Sequence, residues 1–128
     1  MSDASDIGLQ TAKEMLDDSV FSRLQGSVGS NGFGAKLGEL SLDIVFGKVW
    51  TRAGLSRRDR SLVTLGILIA LRQSEELKIH TLAALRNGAT VPEIEEVLYQ
   101  ASGYAGFPAA TSALGTIIAT LREAGHLP

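Results

Sequence analysis

The 128-residue sequence contains no cysteine. Without thiols the chain has no means of forming disulfides, of binding zinc or iron–sulfur clusters through cysteine, or of carrying out thiol redox chemistry. An excess of positive charge is also missing, because the sequence has 12 lysines and arginines against 14 aspartates and glutamates, which gives a net charge of −2. Domains built for general nucleic-acid binding are clearly basic, so this balance argues against that function.

Long apolar runs and a secretory signal are missing as well. The longest apolar stretches, around 62–71 and 107–121, are shorter than the ~20 residues that a membrane-spanning helix needs. The first six residues are polar and acidic, without the basic and apolar parts of a signal peptide. We therefore expect a cytoplasmic protein without a membrane span.

The sequence has little of the alternation typical of strands, and leucine, alanine, glutamate and arginine dominate its second half. Apolar spacing and cap residues predict helices over 7–16, 35–50, 56–71, 74–86, 90–102 and 109–123. The glycine-rich stretch 26–34 is predicted to be a connector. Because the length fits one domain, we predict a single-domain all-α bundle over 1–128. Within it, residues 1–32 are expected to form an N-terminal helix and the connector.

Three helix boundaries have clear side-chain signals. Ser56 is a good N-cap, with the carboxylate of Asp59 three residues later. Thr90 and Glu93 have the spacing of a capping box. The pair Asn87-Gly88 is typical of a helix C-terminus, and predicts that the preceding helix ends there.

The predicted helix that contains residues 62–71 is apolar on every face. Such a helix is normally covered by neighbours on all sides. A chain of 128 residues has few other elements to provide that cover. The pattern therefore predicts a homo-oligomer.

His80 follows Glu76 by four positions in a predicted helix, so both side chains project from one face. A carboxylate beside an imidazole fixes its tautomer and raises its basicity, which suits proton transfer. The alternative is an exposed pair that adds a few tenths of a kcal/mol to stability. A metal site is not expected, because Glu75 points roughly 100° away and His126, the second histidine, lies in the tail.

Four arginines, at positions 52, 57, 58 and 60, form a basic cluster. Arginine is well suited to bidentate binding of a carboxylate, although a solvated helix start is the simpler interpretation. Trp50 is either a pocket wall or a core residue. Ser61 lacks the Gly-x-Ser-x-Gly turn of serine hydrolases. Gly32-Phe33-Gly34 does not continue as a dinucleotide-binding motif and follows no predicted strand, so such a site is excluded.

Taken together, several segments in this order resemble the 4-carboxymuconolactone decarboxylase family. They are residues 46–55 (FGKVWTRAGL), 58–65 (RDRSLVTL), 75–80 (EELKIH), 83–90 (AALRNGAT), 93–98 (EIEEVL) and 104–110 (YAGFPAA). The resemblance covers about residues 33–122 and implies that these residues are the core of the domain. It implies the helical fold that this family shares with alkylhydroperoxidase-like proteins, and a homo-oligomer, either a hexamer or a trimer.

The redox relatives in that fold carry Cys-x-x-Cys-x-x-x-His, and Glu76 stands where their second cysteine would be. Without cysteine, peroxidase or disulfide-reductase activity is excluded. The resemblance instead implies a cofactor-free lyase that decarboxylates 4-carboxymuconolactone, a small anionic lactone, in aromatic catabolism. It implies His80 as the proton donor and Glu76 as the residue that orients it.

The resemblance also implies roles for four further residues. Arg52 or Arg60 would bind the substrate, Ser61 would be a hydrogen-bond partner, and Trp50 would form an apolar wall. One departure is Ala53, because the family usually has proline there, and alanine makes that turn less rigid. A paralogue acting on another lactone or an oxo-acid, or a non-catalytic oligomeric binding module, therefore stays an alternative.

Overall fold

The computed structural model describes residues 3–128, and every regular element in this part of the chain is helical. The elements are α1 (Asp3–Met15), α2 (Asp18–Gly26), α3 (Lys36–Leu40), a π-helical segment (Ser41–Val49), α4 (Arg57–Ala70), α5 (Ser74–Arg86), α6 (Val91–Tyr104) and α7 (Phe107–Glu123). The predicted all-α class is confirmed. None of these helices is long and apolar enough to cross a membrane.

The chain folds as two compact units, the first ending at Leu55 and the second running from Ser56 to Pro128. The single-domain organisation and the core limits of 33–122 stay predictions.

In the first unit, α1 packs directly against the π-helical segment. Two glycines allow the two backbones to approach closely. A Cβ atom at Gly8 would collide with the carbonyl oxygen of Leu42, and one at Gly47 would collide with the carbonyl oxygen of Ala4. Only glycine fits at both positions, so these residues determine how closely α1 lies on the segment.

The sequence predicted one continuous α-helix over 35–50, and the structure is helical there but changes type after Leu40. The segment closes with the amide of Trp50 donating to the carbonyl of Val45, five residues earlier, at 2.9 Å. Apolar spacing does not distinguish this π geometry from an α-helix. Helices of this type are rare and are often found near functional sites.

Helix α2 was not predicted. It begins after Asp17, whose carboxylate accepts a hydrogen bond from the Ser19 amide at 3.3 Å. None of its residues is fully buried. With no buried apolar face, its sequence has little of the periodicity that reveals an amphipathic helix.

The second unit consists of α4 to α7 around one apolar core, which brings the inner faces of all four helices together. Its most buried large side chains are Leu65, Ile69, Leu77, Ile94, Ile117 and Leu121. Arg58 at the start of α4 forms an ion pair with Glu93 at the start of α6. These two helices therefore begin at the same end of the unit.

The predicted helix boundaries in this unit are largely confirmed. Ser56 Oγ accepts a hydrogen bond from the Asp59 amide at 3.0 Å. Thr90 and Glu93 form the reciprocal capping box, with bonds of 3.3 and 2.9 Å. Helix α5 ends before Asn87, and Gly88 has φ of 99°. Helix α6 extends two residues beyond its predicted end, and α7 begins two residues early because Pro108 is accepted in a first helical turn.

Helix α4 is not covered on all sides within residues 3–128. Its inner face is buried, but Val63 and Ile67 are each 53% exposed and Leu71 is 63% exposed. These side chains lie at i, i+4 and i+8 and form one apolar stripe on the outside of the helix. The chain by itself therefore leaves apolar surface open where the sequence predicted cover.

Candidate functional site

His80 and Glu76 lie one turn apart on α5, as their spacing predicted. Nε2 of His80 is 3.8 Å from Oε2 of Glu76. The imidazole is only 11% exposed, whereas the carboxylate is 55% exposed. The pair therefore joins a buried ring to an acid at the solvent edge, a different arrangement from the fully exposed pair that was the alternative interpretation.

Burial lowers the pKa of His80 from 6.5 to about 4. The cause is loss of hydration, which penalises the charged imidazolium. At 3.8 Å the Glu76 carboxylate lies beyond direct hydrogen-bonding distance. His80 is therefore neutral at pH 7 in the free chain.

The other buried side chains of α5 are small or apolar. Thr81 is fully buried and its hydroxyl donates to the carbonyl of Leu77 at 2.7 Å. Ala83 and Ala84 are fully buried as well. Nδ1 of His80 is inaccessible to solvent. In such surroundings an added charge beside the ring has a strong effect, because little water is present to screen it.

Ser61 is fully buried on α4, and its Oγ accepts a hydrogen bond from Nδ2 of Asn87 at 3.0 Å. Asn87 caps the C-terminus of α5. It follows His80 by seven residues, which is about 10 Å along a helix axis. The structure thus connects Ser61 to the C-terminal end of α5.

The contribution of Asn87 was missed from the sequence, which identified this residue only as a helix stop. The hydrogen bond joins residues 26 positions apart, and no local spacing indicates it. Only the packing of α4 against α5 places the two side chains together.

The arginines of the predicted basic cluster are in different environments. Arg58 is bound by two carboxylates, that of Asp59 at 2.7 Å and that of Glu93, so it connects α4 to α6. Arg60 is half-buried on α4, next to Ser61, and its Nε is inaccessible to solvent. In the first unit, Arg52 is exposed and Trp50 is 6% exposed. The substrate-binding roles of Arg52, Arg60 and Trp50 stay predictions.

The second unit has sizeable concave sites between its helices. One of about 280 Å³ lies between α6 and α7, and is lined by Leu98, Tyr99 and Leu114 among others. Two others, of about 640 and 450 Å³, lie between α4 and α6. None of these three is lined by His80 or Glu76. Among residues 3–128, no three histidine, aspartate or glutamate side chains are grouped as metal ligands would be.

With this geometry established, comparison with known proteins identifies the family. The model of the carboxymuconolactone decarboxylase family matches residues 35–118. The chain belongs to the carboxymuconolactone decarboxylase family. Helices α4 and α5, with His80, Glu76 and Ser61, lie entirely within the matched range.

Two relatives in this family have names that state an activity. The chain is 33% identical over 121 residues to a 4-carboxymuconolactone decarboxylase of Acinetobacter baylyi, covering 94% of this chain and 89% of that protein. It is 42% identical over 76 residues to nitrosuccinic acid decarboxylase npaB of Metarhizium robertsii, covering 59% of this chain and 53% of that protein. Membership of a decarboxylase family is thus confirmed.

Proposed function

We propose that this chain is a cofactor-free carboxy-lyase that converts 4-carboxymuconolactone to 3-oxoadipate enol-lactone, in the cytoplasmic catabolism of protocatechuate-type aromatic acids. The observation that carries the proposal is the pair on α5, a buried neutral imidazole next to a carboxylate at the solvent edge. The named relative that this chain matches over 94% of its length supports the substrate.

The reaction has two chemical requirements. When the γ-carboxylate leaves as carbon dioxide, its electron pair moves through the ring double bond into the lactone carbonyl and gives a dienolate. A proton must then reach the ring carbon, and the negative charge on the lactone oxygen must be stabilised in the transition state. The proton restores the charge balance, so neither an oxidant nor a reductant is needed.

In this proposal, His80 obtains that proton when the substrate binds. In the free chain the imidazole is neutral at pH 7, because burial lowers its pKa to about 4. A bound anionic substrate adds negative charge beside the ring, which favours the imidazolium and raises the pKa. His80 then takes up a proton on substrate binding and donates it to the ring carbon after decarboxylation. Glu76, at the solvent edge, orients the ring and connects it to bulk water for the next cycle.

The other predicted residues have supporting roles in the proposal. Arg52 or Arg60 binds the acetate arm or the lactone oxygen, because a guanidinium binds a carboxylate in bidentate fashion. Trp50 provides an apolar wall, which favours loss of a desolvated carboxylate. Ser61 is a hydrogen-bond partner in the same scheme. The active form is proposed to be a homo-oligomer, either a hexamer or a trimer.

A second candidate substrate is suggested by the relative named for nitrosuccinic acid. In that acid the nitro group takes the place of the lactone as acceptor of the electron pair left by carbon dioxide. The same proton donor would complete either reaction. The alternative proposal is therefore a carboxy-lyase for another small acid whose carboxylate is attached next to an electron-accepting group.

A side-by-side assay tests both proposals. The purified chain is incubated with lactone freshly prepared from carboxymuconate and, separately, with nitrosuccinate, and product formation is followed by absorbance and proton NMR. Enol-lactone formation above the uncatalysed rate supports the first proposal, and turnover of nitrosuccinate alone supports the second. If the folded chain consumes neither acid, the proposals for these two substrates fail and the non-catalytic binding module is the better interpretation.

A further inference from the structure

Helices α6 and α7 flank an apolar cavity of about 280 Å³, which we name the α6–α7 cavity. Its lining includes buried side chains of the core, among them Ile94, Ile117 and Leu121. An apolar cavity of about 150 Å³ holds benzene, so this one has room for an aromatic ring with a short chain attached. His80 and Glu76 do not line it, so a ligand here is separate from the substrate of the proposed reaction.

Two aromatic side chains lie at the rim of this cavity. Tyr99 on α6 is 60% exposed, and Phe107 at the start of α7 is 74% exposed. The sequence has one tryptophan, two tyrosines and four phenylalanines, so two of them on one rim is a concentration of aromatic surface. The open face of an aromatic ring attracts organic cations, because the ring carries negative charge density on its faces.

Glu95 is the one charged side chain among the described residues that line the cavity. It precedes Tyr99 by four positions on α6, so the two side chains lie one turn apart on the same face. Within residues 3–128 its carboxylate forms no ion pair or hydrogen bond, whereas Glu93 on the same helix pairs with Arg58. The cavity therefore carries a negative charge without a partner, beside apolar and aromatic surface.

A hydroxyl group on the facing helix is also available to a ligand. Thr64, Thr81 and Thr120 each donate a hydrogen bond to the carbonyl four residues earlier in their helix, at 2.7–2.8 Å. Thr111 on α7 lines the cavity and makes no such bond within the described part of the chain. Its hydroxyl can therefore accept a hydrogen bond from a ligand without loss of a bond inside the helix.

We propose that the α6–α7 cavity binds an organic cation that combines one aromatic ring with an ammonium group on a short chain. The aromatic ring lies in the apolar part of the cavity, and the ammonium group lies at the rim between the carboxylate of Glu95 and the ring of Tyr99. Both rim contacts require a positive charge on the ligand. An anion such as the lactone of the proposed reaction would be repelled by Glu95, with no cation in the described lining to bind it.

Leu127 limits the length of the ligand that fits. It lies in the tail after α7, packs against the core of the second unit and lines the cavity. Two hydrogen bonds hold the tail in place. Nε of Arg122 donates to a backbone oxygen of Pro128 at 2.9 Å, and the amide of His126 donates to the carbonyl of Leu121 at 2.8 Å. Leu127 therefore closes the cavity at the end where α7 finishes.

Two probes of matched size and opposite charge give the first test. Phenethylammonium and hydrocinnamate are titrated separately into the full chain, and the leucine methyl signals are followed by NMR. We expect the methyl groups of Leu98 and Leu114, which line the cavity, to shift with phenethylammonium, and hydrocinnamate to bind at least tenfold more weakly. The proposal is overturned if the cation shifts neither residue, or if the anion binds equally well.

Substitutions at the rim give the second test. Glu95→Gln should weaken the binding of phenethylammonium about threefold to fivefold, because an exposed charge pair is lost. Glu96→Gln is the matched control, since Glu96 is the next residue on α6, is also exposed and lines a different groove. Tyr99→Leu keeps an apolar side chain and should also weaken binding about threefold, because the aromatic face is lost. Wild-type affinity in Glu95→Gln, or an equal loss in Glu96→Gln, would contradict the placement of the ammonium group.

Changes in the size of the cavity give the third test. Leu127→Ala should bind phenylbutylammonium, which has a longer chain, at least threefold more tightly than the wild type does, because the closed end is opened. An unchanged preference for chain length would exclude Leu127 as that end.

Thr111→Trp introduces a large side chain from an exposed position of the lining, and it should abolish binding of phenethylammonium without changing the mass in sedimentation velocity. Ser112→Trp, at the next exposed position of α7 and outside this lining, is the control. If Thr111→Trp lowers the mass and Ser112→Trp does not, the cavity is a contact between subunits and the proposal for a small cation is overturned. These tests measure binding and mass, so their outcome is separate from decarboxylase activity.

Discussion

Nε2 of His80 and Oε2 of Glu76 lie 3.8 Å apart across one turn of α5, with the ring turned into the protein and the acid turned towards solvent. The separation is too long for a direct hydrogen bond. The two residues therefore differ in their proposed roles. His80 transfers the proton, and Glu76 positions the ring and connects it to solvent.

Replacing the proton donor should remove most activity. We expect His80→Gln to lower kcat by at least 100-fold, in the range that loss of a general acid usually costs. Glu76→Gln should lower kcat by a smaller factor, about tenfold, because the ring remains. Steady-state kinetics with the lactone measures both, and His126→Gln is the control for loss of a histidine in the C-terminal tail. A His80→Gln variant with wild-type kcat would exclude the proton-donor role.

Substrate binding should take up a proton at pH 7. His80 is neutral in the free chain because burial lowers its pKa to about 4, and the proposed mechanism needs it protonated in the complex. A saturated γ-carboxy lactone, which lacks the ring double bond, serves as a non-reacting ligand. Calorimetric titration in buffers of different ionisation enthalpy measures the uptake, expected to approach one proton per site. The same uptake by His80→Gln would assign the proton to another group.

Stability should depend on pH through the same histidine. Below about pH 6.5 the unfolded chain binds a proton at His80, whereas the folded chain binds it only near pH 4, so the free energy of unfolding falls as the pH decreases between these values. Above pH 6.5 this histidine no longer lowers the stability of the folded chain. Below about pH 4 the free energy of unfolding has fallen by about 3 kcal/mol at most. Urea unfolding at fixed protein concentration should show a shallower pH dependence for His80→Gln than for wild type. Parallel curves would contradict the lowered pKa.

The hydrogen bond between Ser61 and Asn87 should be visible as energetic coupling. Ser61→Ala and Asn87→Ala each remove one partner of a part-buried bond, and each should lower the free energy of unfolding by about 1–3 kcal/mol. The double variant should be non-additive by about 1 kcal/mol, because the bond is lost only once. Additive losses would show that the bond contributes nothing. The kcat of Ser61→Ala, measured well below its unfolding temperature, then tests the catalytic role implied by the resemblance.

Loss of the predicted contact between Arg52 and a substrate carboxylate should raise KM. Arg52→Ala is expected to raise KM about tenfold with little change in kcat, because it removes a contact made equally in the ground state and the transition state. Arg52→Lys should recover only part of the loss, since lysine keeps the charge without the bidentate geometry. Arg23→Ala on α2 is the control for loss of an exposed arginine. If KM is unchanged, Arg60 becomes the preferred substrate-binding residue.

The sequence alone determined the helical class, most helix boundaries in the second unit, and the pairing of Glu76 with His80. These features depend on neighbours within about four residues: an N-cap such as Ser56, a capping box at Thr90, or two side chains one turn apart. Local hydrogen bonds and the 3.6-residue repeat of the helix determine these features independently of tertiary contacts.

Other features were decided only by tertiary structure. The low pKa of His80 arises from burial by the surrounding helices, and the contact of Asn87 with Ser61 joins residues far apart in the chain. The close approach of α1 through Gly8 is also a product of packing. Apolar periodicity indicates which face of a helix is buried, but it does not identify the element that covers that face. The reason is that the hydrophobic effect depends on the apolar area removed from water and not on a specific partner. For the same reason the sequence marked α4 as apolar on every side, and the fold determined which side stays open.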